Sequence, residues 1–194
     1  MDFRRSSLWM TRATISLPTS DDGHVLPDLL TPGLVTVFCG SAVGTASARL
    51  GAPYAGPGNR FWPMLAETGL TPERFAPANY RALLDVGIGL TDLNKTQLGA
   101  DSDLTPEGDD ARSLLAKIEA HQPCQLAFTA KRPAQAFLDR VFGLRRIEYG
   151  PQDRAVGDTS IFVLPSPSGL AVRWWDPEWW YCVAERHRSF KEDE

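Results

Sequence analysis

Hydrophobic residues fall in short runs separated by amphipathic stretches. Leu34 to Cys39 (LVTVFC) is apolar almost throughout, as strands covered on both faces are, and it stops at Gly40. Ile88 to Leu93, Gln125 to Thr129 and Ser160 to Leu164 have the same character and predict three further strands. Between them the spacing is helical. Ala111, Leu114, Leu115 and Ile118 predict a helix over Asp109 to Ala120 with acids at its favourable end. Ala134, Phe137, Leu138 and Val141 mark another. Phe61 to Thr68 reads as a helix closed by Gly69 at C′, with Pro63 tolerated in its first turn. Thr71-Pro72-Glu73 predicts a capped helical turn, and Asn79 to Val86 a short helix stopped by Gly87. Asp176 and Pro177 open a final helix that carries Trp179, Trp180 and, at its negative end, Arg186, His187 and Arg188. His24 to Leu34 is irregular, and Lys95 to Glu107 is a polar loop. Strands alternating with helices predict an α/β fold with a parallel sheet and helices on both faces.

Composition narrows this to one domain. The chain has 194 residues, 43% of them hydrophobic, enough for a single core. Residues 1–23 are expected to form a flexible tail ahead of one domain over 24–194. Asp2 and the lack of an apolar segment near the start argue against a secretory signal, and an intracellular, cytoplasmic or nucleoid location is expected. The formal net charge of -4 gives no general affinity for nucleic acid, so any phosphate contact must come from a local face. Cys39, Cys124 and Cys182 stand far apart, too few for an iron–sulfur cluster and without zinc spacing. No metal or other cofactor is expected. Cys39 and Cys124 are expected in the core, and His24, His121 and His187 on the surface.

The candidate chemistry lies in Val35 to Trp62 (VTVFCGSAVGTASARLGAPYAGPGNRFW). A strand that breaks at glycine and leads through a loop into a helix presents N–H groups at the carboxyl edge of a sheet, where α/β proteins hold ligands. This stretch resembles the first motif of the mismatch-specific uracil/thymine DNA glycosylases, FCG-I-N-P-G followed by an aromatic and PxNRFW. Phe38, Cys39, Gly40, Gly44, Tyr54, Pro57, Asn59, Arg60, Phe61 and Trp62 carry the match. Leu164 to Leu170 (LPSPSGL) resembles the second motif, and Gly89 to Leu93 (GLTDL) an intervening one. The resemblance implies a three-layer α/β/α sandwich around a short, mainly parallel sheet.

One departure bears on the chemistry. The family's water-positioning asparagine aligns with Ala42, whose methyl group neither donates nor accepts a hydrogen bond. Ser166 replaces the asparagine of the second motif. The resemblance makes Asp92, in GLTDL, the catalytic candidate, with Asp85 as a weaker competitor. A carboxylate there would activate water and stabilise an oxocarbenium-like sugar; the alternative is a turn aspartate paired with Lys95 or Arg60. By the same resemblance Tyr54 stacks on the flipped base, and Gly40, Ser41 and Ala42 read it through backbone N–H groups. Leu170 becomes the wedge that enters the duplex, and Ser47, Ser166, Ser168, Gly169 and Arg173 contact DNA. Arg49, Lys131 and Arg132 are further rim candidates.

The expected activity is hydrolytic excision of uracil, with thymine or other modified bases as further substrates, from DNA mismatches by a monomer. The partner is duplex DNA containing uracil or mismatches, with single-stranded DNA as a second candidate. A catalytically inactive protein that binds damaged or mismatched DNA is the alternative. A free-nucleotide site is the least supported reading, because neither a Walker lysine nor GxGxxG is present.

Overall fold

In the computed structural model, residues 23–171, 173 and 175–192 are described. The expected tail therefore lies almost wholly outside the described residues. The strands are β1 (Thr36–Gly40), β2 (Ile88–Asp92), β3 (Gln125–Phe128), β4 (Gly150–Val156) and β5 (Thr159–Val163). They form one sheet in the order β2-β1-β3-β5-β4. The first four strands in that order run parallel, and β4 pairs antiparallel with β5. The helices are α1 (Thr45–Leu50), α2 (Phe61–Glu67), α3 (Ala111–His121), α4 (Lys131–Phe142) and α5 (Glu178–Glu192).

Alternation along the strands divides the core in two. Phe38, Leu90, Ala127 and Phe162 face a cluster with Phe61 and Leu65 of α2 and Trp180 and Val183 of α5. Val37, Cys39, Leu126, Phe128 and Ile161 face the other cluster, with Leu114 and Ile118 of α3 and Phe137 and Leu138 of α4. Both sides of the sheet are thus covered, which is the three-layer α/β/α sandwich. Aromatic packing knits the first cluster: Phe38 lies edge-on to Phe61 at 5.4 Å and stacked on Trp180 at 5.6 Å.

Local chemistry accounts for most boundaries. Gly69 takes φ 75°, as a C′ glycine should. The Asp110 side chain accepts the Ser113 N–H at 2.8 Å and caps α3, while Asp176 accepts the Glu178 N–H at 3.0 Å ahead of α5. Other expectations need correction. Thr71 opens no helix, because its hydroxyl donates to the Glu73 carbonyl at 2.8 Å instead of accepting an N–H. The short helix expected over Asn79 to Val86 does form and stops at Gly87, as a 3₁₀ helix that begins at Pro77 and is kinked at Asn79. Strand β4 is absent from the sequence reading, since it is a largely exposed edge with no apolar run. Cys124 is only partly buried.

His187, expected on the surface, is buried at 3% exposure. Its Nε2 lies 3.0 Å from the Val86 carbonyl, which can only accept, so Nε2 carries the proton. Nδ1 then accepts the Thr36 hydroxyl at 2.8 Å, and that hydroxyl oxygen accepts from Gln125 Nε2 at 2.8 Å. This network ties α5 to the amino ends of β1 and β3. Burial first, then Lys191 and Arg188, push the imidazole down to about 4. A depressed histidine stabilises the fold while neutral, and that contribution is lost as pH falls from about 6.5 through 4. Up to about 3 kcal/mol is at stake. Thermal melts at pH 7 and 4.5 should show a steeper acid loss for the unaltered protein than for His187→Gln; parallel losses would contradict the assignment.

Candidate functional site

The carboxyl ends of β1, β2, β3 and β5 open onto one cavity of about 850 Å³, within the range of small-molecule sites. Its walls include Gly40, Ser41, Ala42, Tyr54, Asp92 and Thr129, together with Ser166 to Leu170. Residues of all three motifs therefore meet there. Asp85 is exposed and outside these walls.

The floor is built by register. Gly40 pairs with Asp92 across β1 and β2. A Cβ placed on Gly40 would overlap Asp92 Oδ1 and come within 3.3 Å of the Tyr54 hydroxyl. Carboxylate and phenol thus converge over a residue without a side chain. The Gly40 and Ser41 carbonyls accept the Leu93 and Asn94 N–H groups, each at 2.9 Å, which fixes the loop against the segment after β2.

Tyr54 adopts φ 52°, a left-handed conformation rare for a bulky residue and held only where the surroundings impose it. Its ring stacks on Phe61 at 3.9 Å and 11°, and its hydroxyl meets Thr129 Oγ1 at 3.3 Å. Burial, then the Asp92 carboxylate, raises the phenol well above its usual range. Thr129, at the end of β3, is the pocket residue that the sequence reading missed; only the topology brings it beneath Tyr54.

Burial dominates the environment of Asp92 and raises its carboxyl to about 6, opposed by Lys95 and assisted by Asp28. Neither partner offered by the turn reading is used. Lys95 pairs with Asp28 at 2.8 Å, and the Arg60 guanidinium lies over the Trp175 ring at 5.1 Å.

The loop ahead of α2 and the loop after β5 brace one another. The Arg60 N–H donates to the Pro167 carbonyl at 2.8 Å, and a Cβ on Gly169 would come within 2.9 Å of the Pro57 carbonyl oxygen. Asn59 Oδ1 accepts the Phe61 N–H at 2.9 Å, in keeping with a loop-holding role. Two indoles add anchors: Trp62 Nε1 donates to Pro53 and Trp180 Nε1 to Pro165, both at 3.1 Å. On this support Leu170 stands 86% exposed at the pocket edge. The Ser166 and Ser168 hydroxyls accept the N–H groups of Ser168 and Leu170 at 3.3 Å and shape the turn.

The remaining candidates are placed as follows. Ser47 lines the cavity but is buried, and its hydroxyl accepts the Ala55 N–H at 3.0 Å. Arg49 and Arg173 are exposed, although Arg173 is not among the cavity walls. Lys131 pairs with Glu148 and Arg132 with Asp109, each at 3.1 Å. Among the described residues no group of His, Cys, Asp and Glu is arranged to hold a metal, and no helix is long and apolar enough to cross a membrane.

A parallel sheet whose carboxyl edge holds a stacked tyrosine, a half-buried carboxylate and an exposed leucine on a braced loop defines an α/β protein with a ligand-sized pocket at its sheet edge. The chain belongs to the uracil DNA glycosylase superfamily, whose family model matches residues 27–186. A solution NMR structure of a proposed uracil DNA glycosylase from Methanosarcina acetivorans has the same fold, with a TM-score of 0.56 and 20% identity. The likeness covers 84% of this chain and 96% of that one. Superfamily membership implies DNA as the substrate and uracil-DNA glycosylase as the class of activity.

Proposed function

We propose that the protein is a monofunctional, mismatch-specific uracil-DNA glycosylase that hydrolyses the N-glycosidic bond of uracil opposite guanine and leaves an abasic site. The observation that carries this reading is the convergence of Asp92 Oδ1 and the Tyr54 hydroxyl over Gly40, on the floor of the cavity shared by the motif loops.

A flipped pyrimidine entering the cavity would extend the Phe61–Tyr54 stack, replacing the stacking it loses in the duplex. Backbone N–H groups of Gly40 to Ala42 would face its carbonyl oxygens and stabilise the negative charge that develops as it leaves. Ionised Asp92 would orient a water toward C1′ and stabilise the cationic sugar. The water oxygen bonds to C1′, the C–N electrons depart with the base as its anion, and a water proton passes to Asp92. Nothing in this sequence requires the hydrogen-bonding group absent at Ala42. The small side chains of Ser41 and Ala42 leave room for a 5-methyl group, so thymine is a second substrate.

The test is single-turnover release of base from G·U, A·U, G·T and single-stranded uracil substrates. The reading expects fastest release from G·U. Binding without release from any of them would instead identify a damage-binding protein.

Leu170 is proposed as the wedge that fills the gap left by the extruded base, offsetting part of an unstacking cost of a few kcal/mol. Leu170→Ala should weaken binding to G·U duplex about tenfold, near the lower end of such a contribution. Binding to single-stranded uracil DNA should change far less, and equal losses in a titration of both would contradict the wedge.

A further inference from the structure

Behind Asp92, away from the base pocket, lies a second and polar cavity of about 380 Å³ whose walls include Asp92, Lys95 and Lys117. Lys95 is almost entirely enclosed, with 7% of its side chain exposed, and Asp28 is 16% exposed. Asp28 is the hub of this cluster. Its Oδ1 takes Lys95 Nζ at 2.8 Å and the Thr91 hydroxyl at 2.7 Å, and its Oδ2 takes Lys117 Nζ at 2.6 Å. Four chain segments are thereby joined: the stretch before β1, the end of β2, the turn after β2, and α3.

We propose that Lys95, clamped by Asp28 and backed by Lys117 in the cavity that Asp92 also lines, is the positioning residue whose charge keeps the Asp92 carboxylate ionised at the floor of the base pocket. The proposal rests on the catalytic reading of Asp92. Its physical basis is a count of charges in a poorly solvated region. Asp28 and Asp92 contribute two negative charges, and Lys95 and Lys117 two positive ones. Asp28 receives three donors and is held below the usual carboxylate range despite its burial. When one lysine is removed, the deficit therefore falls on Asp92, the carboxylate whose burial already favours protonation.

Other titratable groups around Asp92 do not supply this charge. Cys39 on β1 and Tyr54 on the pocket loop are both pushed up, mainly by burial, and stay neutral. Across the second cavity, Asp109 is paired with Arg132 and Asp110 caps α3. Glu107 is exposed, and His24 completes that wall. Lys95 is also fixed in place by backbone contacts. The Val25 N–H donates to the Lys95 carbonyl at 2.8 Å, and Asn94 beside it is tied to Ser41.

The test is a ¹³C carboxyl titration of the DNA-free protein by NMR, with the Asp92 signal assigned by its loss in Asp92→Asn. The Asp92 midpoint should rise by about one unit in Lys95→Met, a tenfold change in its protonation equilibrium. Lys117→Met, at a more exposed site, should move it in the same direction by less. The second variant decides the matter if the first does not fold. An unmoved midpoint in folded Lys117→Met and Lys95→Met would overturn the proposal and reduce Lys95 to a counter-ion of Asp28. Base release by the unaltered protein, assayed separately on G·U duplex, reports on the glycosylase reading. A midpoint that moves in a protein releasing no base would uphold the charge device and sink that reading.

Discussion

Asp92→Asn should abolish measurable excision from G·U duplex, lowering the single-turnover rate by about 10³-fold or more, within the range for loss of a positioned proton acceptor. Binding to the same duplex should stay within about threefold, because Asn keeps the shape of the side chain and the proposed DNA-contacting residues lie elsewhere. The same substitution should stabilise the fold. A carboxyl raised in the folded protein binds its proton more tightly there than in the unfolded chain, so its unfavourable effect grows as pH rises through 4 to 6 and is complete above that. At pH 7 this amounts to about 2 to 3 kcal/mol, which the neutral amide relieves. A structural aspartate that capped a turn or closed an ion pair would give the opposite result, lower stability on substitution. Rate, affinity and melting temperature, measured together, separate the two roles. A loss of rate accompanied by a lower melting temperature would favour a scaffold role.

The second large effect is expected at Gly40. Alanine is the smallest possible addition, and its backbone requirements are ordinary there, since Gly40 is not among the residues at positive φ. The added methyl would nevertheless occupy the position of Asp92 Oδ1 and crowd the Tyr54 hydroxyl. Displacing a catalytic group by about an ångström costs on the order of 100-fold in rate. Gly40→Ala should therefore lose about 100-fold in single-turnover excision with little change in DNA affinity. Leu170→Ala should show the reverse, a binding loss with the chemical step intact once the complex is saturated. Unchanged excision by Gly40→Ala would mean that the approach of Asp92 to Gly40 has no part in catalysis.

Much of this arrangement was legible in the sequence because the strands β1, β2, β3 and β5 are covered on both faces and read as apolar runs. The break at Gly40 and the cap at Asp176 are likewise local signals. Strand β4 escaped because an exposed edge needs no apolar alternation. The site divides in the same way. Tyr54, Asp92 and Leu170 stand in short motifs, whereas Thr129 reaches Tyr54 across 75 positions and Asp28 reaches Thr91 across 63. His187 carries no sequence mark of burial, since its partners Thr36 and Val86 lie 151 and 101 positions away. Such pairings arise only when the sheet order places separate segments side by side.

The superfamily fold thus carries a pocket in which Ala42 offers no side-chain hydrogen bond and the half-buried Asp92, at the end of β2, pairs in register with Gly40. The proposed catalytic role of Asp92 would place the chemistry at the end of β2, one strand away from Ala42. The most direct measurement is the pH dependence of single-turnover excision on G·U duplex between pH 4.5 and 8. The rate should rise with pH to a plateau, with a midpoint at about 6 or somewhat higher when DNA phosphates surround the carboxylate. A rate that is flat across this range, or that falls as the pH rises through 6, would contradict an ionised Asp92 as the group that governs the water.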